Sequence, residues 1–148
     1  MKTVLCSRTR PSQIGEEIYD GGFGYTLDFS WAKWPKDLEG VHTLNGCFDP
    51  EGNLYVATEN PENPVVIFSP EGEYLRSIGA GLFKKAHSVF LTPHRTILTA
   101  DTSPGYHVIR EITMDGELVY DFGTLGQPGD SGYDLNYLKT LEKEGRVP

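Results

Sequence analysis

Two stretches of the chain repeat one another. Residues 44–79 read LNGCFDPEGNLYVATENPENPVVIFSPEGEYLRSIG, and residues 87–123 read HSVFLTPHRTILTADTSPGYHVIREITMDGELVYDFG. Each holds four short strand-like runs. The first has them at about 43–49, 53–58, 64–69 and 73–78, and the second at about 87–92, 96–101, 106–113 and 117–122. The turns agree. PEG at 70–72 and MDG at 114–116 place glycine after an acidic residue between two apolar runs, a tight-hairpin signal. PEG at 50–52 is matched by TPHR at 92–95, where the glycine is lost. NPENP at 60–64 and SPG at 103–105 mark a looser second connection, because proline cannot continue a ladder. Both repeats close on an apolar residue and a glycine, Ile78-Gly79 and Phe122-Gly123.

A period of about 43 residues with four strands per unit is that of β-propeller blades. The expected fold is therefore all-β: two full four-stranded blades, about 41–80 and 84–123, within a partial propeller over 23–148. FGYTLDFSW at 23–31 alternates as one extra strand would, and residues 1–22 read as an irregular lead-in. Residues 124–148 read as a loop and one short helix. Leu135, Leu138 and Leu141 recur there at spacing three, with Asp134 as N-cap and Gly145 as stop. Propellers close with four to eight blades. Two blades are thus expected either to open a longer chain or to complete a ring by self-association, three copies making six.

Composition narrows the partners. The formal net charge of −8 repels phosphate backbones, so no nucleic-acid partner is expected. Two cysteines, Cys6 and Cys47, make no disulfide framework. MKTVLCSRTRPS lacks a long apolar core, and no apolar run approaches the roughly 20 residues that cross a bilayer. A soluble cytoplasmic protein without a membrane partner is the expectation.

DPEGNLYVAT, VVIFSPEGEYLRSIG and ITMDGELVYDFGTLGQPG resemble NHL-type repeats. With WAKWPKDLEG and GLFKKAHSVFLTP, the chain is similar to the six-bladed propellers of the peptidyl-α-hydroxyglycine α-amidating lyase group over about residues 23–148. The resemblance implies the N-terminal part of a metal-dependent lyase or hydrolase acting on a small polar substrate. Its alternative is a non-catalytic propeller that binds a protein or small ligand through its top loops. In the lyase, one His from each of three blades holds zinc near the central axis; His87 stands at the matching position, with Ala86 and Ser88 where that motif has Pro and Gly. Val89 matches a residue whose carbonyl meets a structural calcium. The two other zinc histidines and the catalytic Tyr are expected on blades beyond residue 148, and GVHTLNGCF offers no counterpart to the lyase's Arg.

Read residue by residue, His87 is either a metal ligand or a polar residue lining the channel. His42, at the start of the first inner strand, is the next candidate for the channel. Asp101 matches Thr58 and either faces the channel or caps the turn after it. His107 precedes the third strand and reads as structural or channel-lining, and His94 as a turn residue. Glu59, Glu62, Glu71, Glu73 and Asp115 read as solvated turn acids, Cys47 as buried and inert, and Trp31 and Trp34 either as lining a groove or, the commoner case, as packed beneath their loop.

Overall fold

The computed structural model describes residues 17–20, 23–26, 28, 30–127 and 135–145. Each repeat folds into one antiparallel meander. The first sheet runs β3 (Thr43–Phe48), β4 (Leu54–Thr58), β5 (Val65–Phe68), β6 (Tyr74–Ile78). The second runs β7 (Phe90–Leu91), β8 (Thr96–Asp101), β9 (Val108–Thr113), β10 (Leu118–Phe122) in the same order. A hairpin, β1 (Glu17–Asp20) with β2 (Phe23–Thr26), precedes them, and α1 (Leu135–Lys143) follows. None of the helices described is long and apolar enough to cross a membrane.

The helix falls where the leucine spacing puts it, and Gly145 follows with φ of 65°; Asp134 lies outside the described residues. β1 corrects the lead-in reading. Asp20 pairs with Phe23, and the two residues between them in sequence are both glycine, the type that two-residue hairpins favour. β7 is shorter than the expected run 87–92. Ala86 makes only an isolated bridge to Asp101, Ser88 Oγ accepts the Ala100 N–H at 3.3 Å, and Val89 N–H donates to Asn45 Oδ1 at 2.9 Å. Before Phe90 the His87 N–H still meets Ala100 O, but the Val89 and Ala100 N–H groups are spent on side chains.

Strand alternation gives each sheet two faces. The face of the first sheet bearing Tyr55, Ala57, Val65, Ile67 and Ile78 is buried against Phe83, Ala86, Val89, Ile97 and Ile112 of the second repeat. Its opposite face, Leu54, Val56, Val66 and Phe68, is covered by Trp31, Trp34 and Leu38. The turns place Leu54 and Val56 level with Ile97 and Thr99, and Phe68 level with Ile112. The two sheets therefore pack in series. The leading face of the second lies on the trailing face of the first, and the segment 31–38 covers the leading face of the first.

The seam is pinned at its outer end. The β9–β10 turn lies on the end of β6, where a Cβ added to Gly116 would stand 2.6 Å from Gly79 N. Arg76 Nη1 donates to Asp115 Oδ1 and Nη2 to Met114 O, each at 2.8 Å. One level back, the equivalent turn meets the leading segment, where a Cβ on Gly72 would be 1.8 Å from Trp31 O.

One seam residue is poorly matched. Thr99 is fully buried and its Oγ1 has no hydrogen-bond partner among the described residues. The first repeat carries Val56 there. An unpaired buried hydroxyl costs about 1–3 kcal/mol. Thr99→Val is expected to raise stability by about 1 kcal/mol, read as a higher urea midpoint at unchanged slope.

Candidate functional site

The first strands of the two sheets, β3 and β7, begin at the same end of the stack, since each sheet follows the same order. That end gathers residues from both repeats around one carboxylate. His42 immediately precedes β3, Glu59 immediately follows β4, and Lys85 lies in the linker before β7. Glu59 Oε1 is 3.0 Å from His42 Nδ1 and 2.5 Å from Lys85 Nζ. His42 O also accepts the Glu59 N–H at 3.0 Å. His42 lies one residue before β3 and Lys85 one residue before the Ala86 bridge to β8, so equivalent positions of consecutive repeats converge on Glu59. Glu59 is half-buried, which corrects its reading as a solvated rim acid.

Lys85 first, and then His42, hold the Glu59 carboxyl below its ordinary value of 4.5. A carboxyl whose folded pKa is depressed adds stability that is present above the unfolded value and lost as pH falls through the depressed one. Stability is thus expected to fall below about pH 4.5, and Glu59→Gln to flatten that part of the profile, measured by thermal melts from pH 3 to 6.

His87 is exposed at this end. Its N–H donates to Ala100 O at 2.9 Å. Asp101 is buried, and its carboxylate is spent on backbone: Oδ2 accepts Lys84 N at 2.7 Å and Lys85 N at 3.1 Å, and Oδ1 accepts Ser103 N at 2.8 Å. It is the cap of the turn, and it also anchors the linker that carries Lys85. Thr58 does the same with a hydroxyl, donating to Asn63 O at 2.7 Å and accepting from Asn60 N at 3.1 Å. His107 is exposed in the β8–β9 turn with φ of 47°, and its Nε2 accepts from Gly105 N at 3.4 Å. Val89 is buried in the seam.

The residues described do not by themselves fit the implied metals. A zinc site takes three protein ligands and an open position, and calcium takes six to eight oxygens. No three His, Cys, Asp or Glu side chains gather into a metal-holding group among the described residues. His87 is a single imidazole, and Val89 would offer one carbonyl.

The opposite end carries a cleft that the sequence reading missed. It has a volume of about 360 Å³ and lies between the first hairpin turns of the two repeats, lined by Phe48, Glu51, Leu91, Pro93, Arg95 and Met114. Arg95 reaches Glu51 at 3.4 Å across it. Arg95 holds the left-handed turn position, φ 59°, that Gly52 holds in the first repeat. Only the paired turn sequences FDPEG and LTPHR could have signalled it. Nearby, burial pushes the Cys47 thiol up, which keeps it protonated and unreactive.

The fold and site define a class: an all-β protein of two four-stranded antiparallel meanders packed in series, with a polar cluster where the first strand of each meander begins. No protein-family model matches the chain, and no curated protein matches it. Among solved structures it is similar to a protein of unknown function from Bacteroides caccae. Identity is 15% and the TM-score 0.44, over 68% of this chain and 34% of that one. The chain thus spans about a third of the length of that protein. Likeness at this level assigns no activity.

Proposed function

We propose that the two sheets are consecutive blades of an NHL-type β-propeller similar to the amidating-lyase group, and that the chain works as a binding module. Its small polar ligand meets the end that carries His42, Glu59, Lys85 and His87. The observation that carries this reading is the sharing of Glu59 by His42 and Lys85, 3.0 and 2.5 Å away and drawn from two different repeats. The reading is supported by a built polar cluster that spans consecutive sheets at the end where their first strands begin. The ligand displaces Lys85 or His42 from Glu59 and takes their hydrogen bonds. The second reading is the metal-dependent lyase, supported by the exposed imidazole of His87 at the resemblance's ligand position.

The test uses N-benzoyl-α-hydroxyglycine, with and without zinc, followed by amide and imidazole NMR and by glyoxylate release. The binding reading predicts shifts at His42, Glu59, Lys85 and His87 and no glyoxylate in either condition. Zinc-dependent glyoxylate that is lost in His87→Ala would replace it with the lyase reading. Shifts confined to the cleft of Phe48 and Arg95 would contradict both.

A further inference from the structure

The cleft between the first hairpin turns of the two repeats lies at the far end of the stack from His42 and Glu59, and the ligand proposed for that end leaves it unused. Its volume of about 360 Å³ is that of a site for one small molecule. Leu91 and Met114, both packed on the core, hold its walls in place. Phe48 lines it too and is 64% exposed, so most of its ring is free to take a partner. Two polar groups of the lining are committed. Asp49 accepts Asn53 N at 2.7 Å and Asn53 Nδ2 at 2.8 Å, and Thr92 Oγ1 pairs with Thr96 Oγ1 at 2.6 Å.

Glu51 and Arg95 have capacity left. Their contact is long, 3.4 Å between Oε1 and Nη1, and lies in solvent, with the side chains 52% and 72% exposed. An ion pair of that kind holds weakly. Among the described residues the guanidinium spends one of its five N–H donors there, and the carboxylate one of its two oxygens. Arg95 is also an unusual residue for its place. With φ of 59° it sits where the first repeat has Gly52, in the left-handed region where a Cβ strains the turn. Strain kept at the rim of a cleft points to a use for the side chain.

The charges select the ligand. A lone anion would approach a chain of net charge −8 with Asp49 and Glu51 in the cleft lining, and a lone cation would meet the Arg95 guanidinium. A zwitterion meets neither penalty. We propose that the cleft binds a free α-amino acid with a large apolar side chain, an aromatic one best. Its carboxylate takes the spare Arg95 donors, and its ammonium donates to the second Glu51 oxygen. The two charges of an α-amino acid hang on one carbon, close enough to lie beside a pair 3.4 Å apart. The side chain enters between Phe48, Leu91 and Met114, where a ring packs on the Phe48 ring and on the Met114 thioether.

The test titrates L-phenylalanine into the full chain and follows amide and methyl NMR. Shifts are expected at Phe48, Glu51, Arg95 and the Met114 methyl, and none at His42 or Lys85. Hydrocinnamate and phenethylamine each lack one of the two charges, and each is expected to bind about tenfold more weakly or worse, as the loss of a charge-assisted contact requires. Arg95→Gly deletes the guanidinium and returns glycine to the left-handed turn. It is expected to hold or raise the melting temperature, to weaken L-phenylalanine by about tenfold or more, and to leave phenethylamine no weaker. Glu51→Gln is expected to weaken L-phenylalanine likewise and to leave hydrocinnamate no weaker. Three results overturn the proposal: L-phenylalanine at several millimolar shifts nothing in the cleft, either single-charge analogue binds as tightly as the zwitterion, or Arg95→Gly leaves the affinity for L-phenylalanine unchanged. N-benzoyl-α-hydroxyglycine has no ammonium and reports on the His42 end, so the two proposals fail separately.

Discussion

Gly116→Val is expected to cost at least about 3 kcal/mol of unfolding free energy, because it drives the two sheets apart at their pinned end. Two effects add. The turn holds Gly116 at φ of 88°, where a residue with a Cβ pays about 1–2 kcal/mol. The new Cβ would also stand 2.6 Å from Gly79 N and 2.9 Å from Ile78 Cβ. Neither neighbour can yield cheaply, since Ile78 is locked in register with Val65 and buried in the seam. Gly105→Val separates the terms. Gly105 has φ of 82° but open space within 4 Å, so it pays the conformational cost alone. Urea unfolding of the pair checks the account. Equal losses would mean that the β9–β10 turn does not rest on Ile78-Gly79.

Phe68→Ala is expected to cost about 3–5 kcal/mol, as large aromatic truncations in filled cores do. Phe68 is 0% exposed and is the hub of the aromatic cover on the first sheet. Its ring meets Trp34 at 4.8 Å edge to face, Tyr74 at 6.3 Å and Trp31 at 6.4 Å. Trp31 also donates Nε1–H to Pro70 O at 3.3 Å, and Lys33 N donates to Gly72 O at 2.8 Å, so the leading segment is fastened at several points. Removing the hub leaves both indoles over a void. Tryptophan emission is expected to shift to the red along with the loss of stability. Phe68→Leu, which keeps most of the volume, is expected to cost less than about 1.5 kcal/mol and to leave the emission in place. An unshifted spectrum in Phe68→Ala would mean that the tryptophans do not pack on this face.

The strands were legible because their signals are local. PEG at 70–72 and MDG at 114–116 gave the β5–β6 and β9–β10 hairpins, and alternation gave the runs beside them. What the sequence hid was contact between repeats. Ile78-Gly79 reads as a strand end, yet its second role, as the seat of Gly116, appears only when the sheets are stacked. Glu59 reads as a solvated acid because its partners lie 17 positions before it, at His42, which the β3–β4 pairing brings beside it, and 26 after it, at Lys85, which reaches it only through the stacking of the sheets. The ends of β7 and β9 were misjudged for a related reason. Side chains of Asn45 and Ser88 take N–H groups a ladder would use, and His107 turns left-handed just before Val108. β1 was missed because EIYD is too short to alternate visibly and gains its identity only from pairing with FGYT.

Everything argued for the site, the cleft and the seam rests on the order in which the sheets are stacked. Proton–proton nuclear Overhauser effects between Gly116 Hα and the Ile78 methyl groups test that order most directly. The stacking in series predicts them strongly, together with a slowly exchanging Val89 amide held by Asn45. Contacts from the Ile78 methyls to the ring of Phe122 or Tyr120, in place of the Gly116 turn, would put the wrong face of the second sheet on the first and contradict the account.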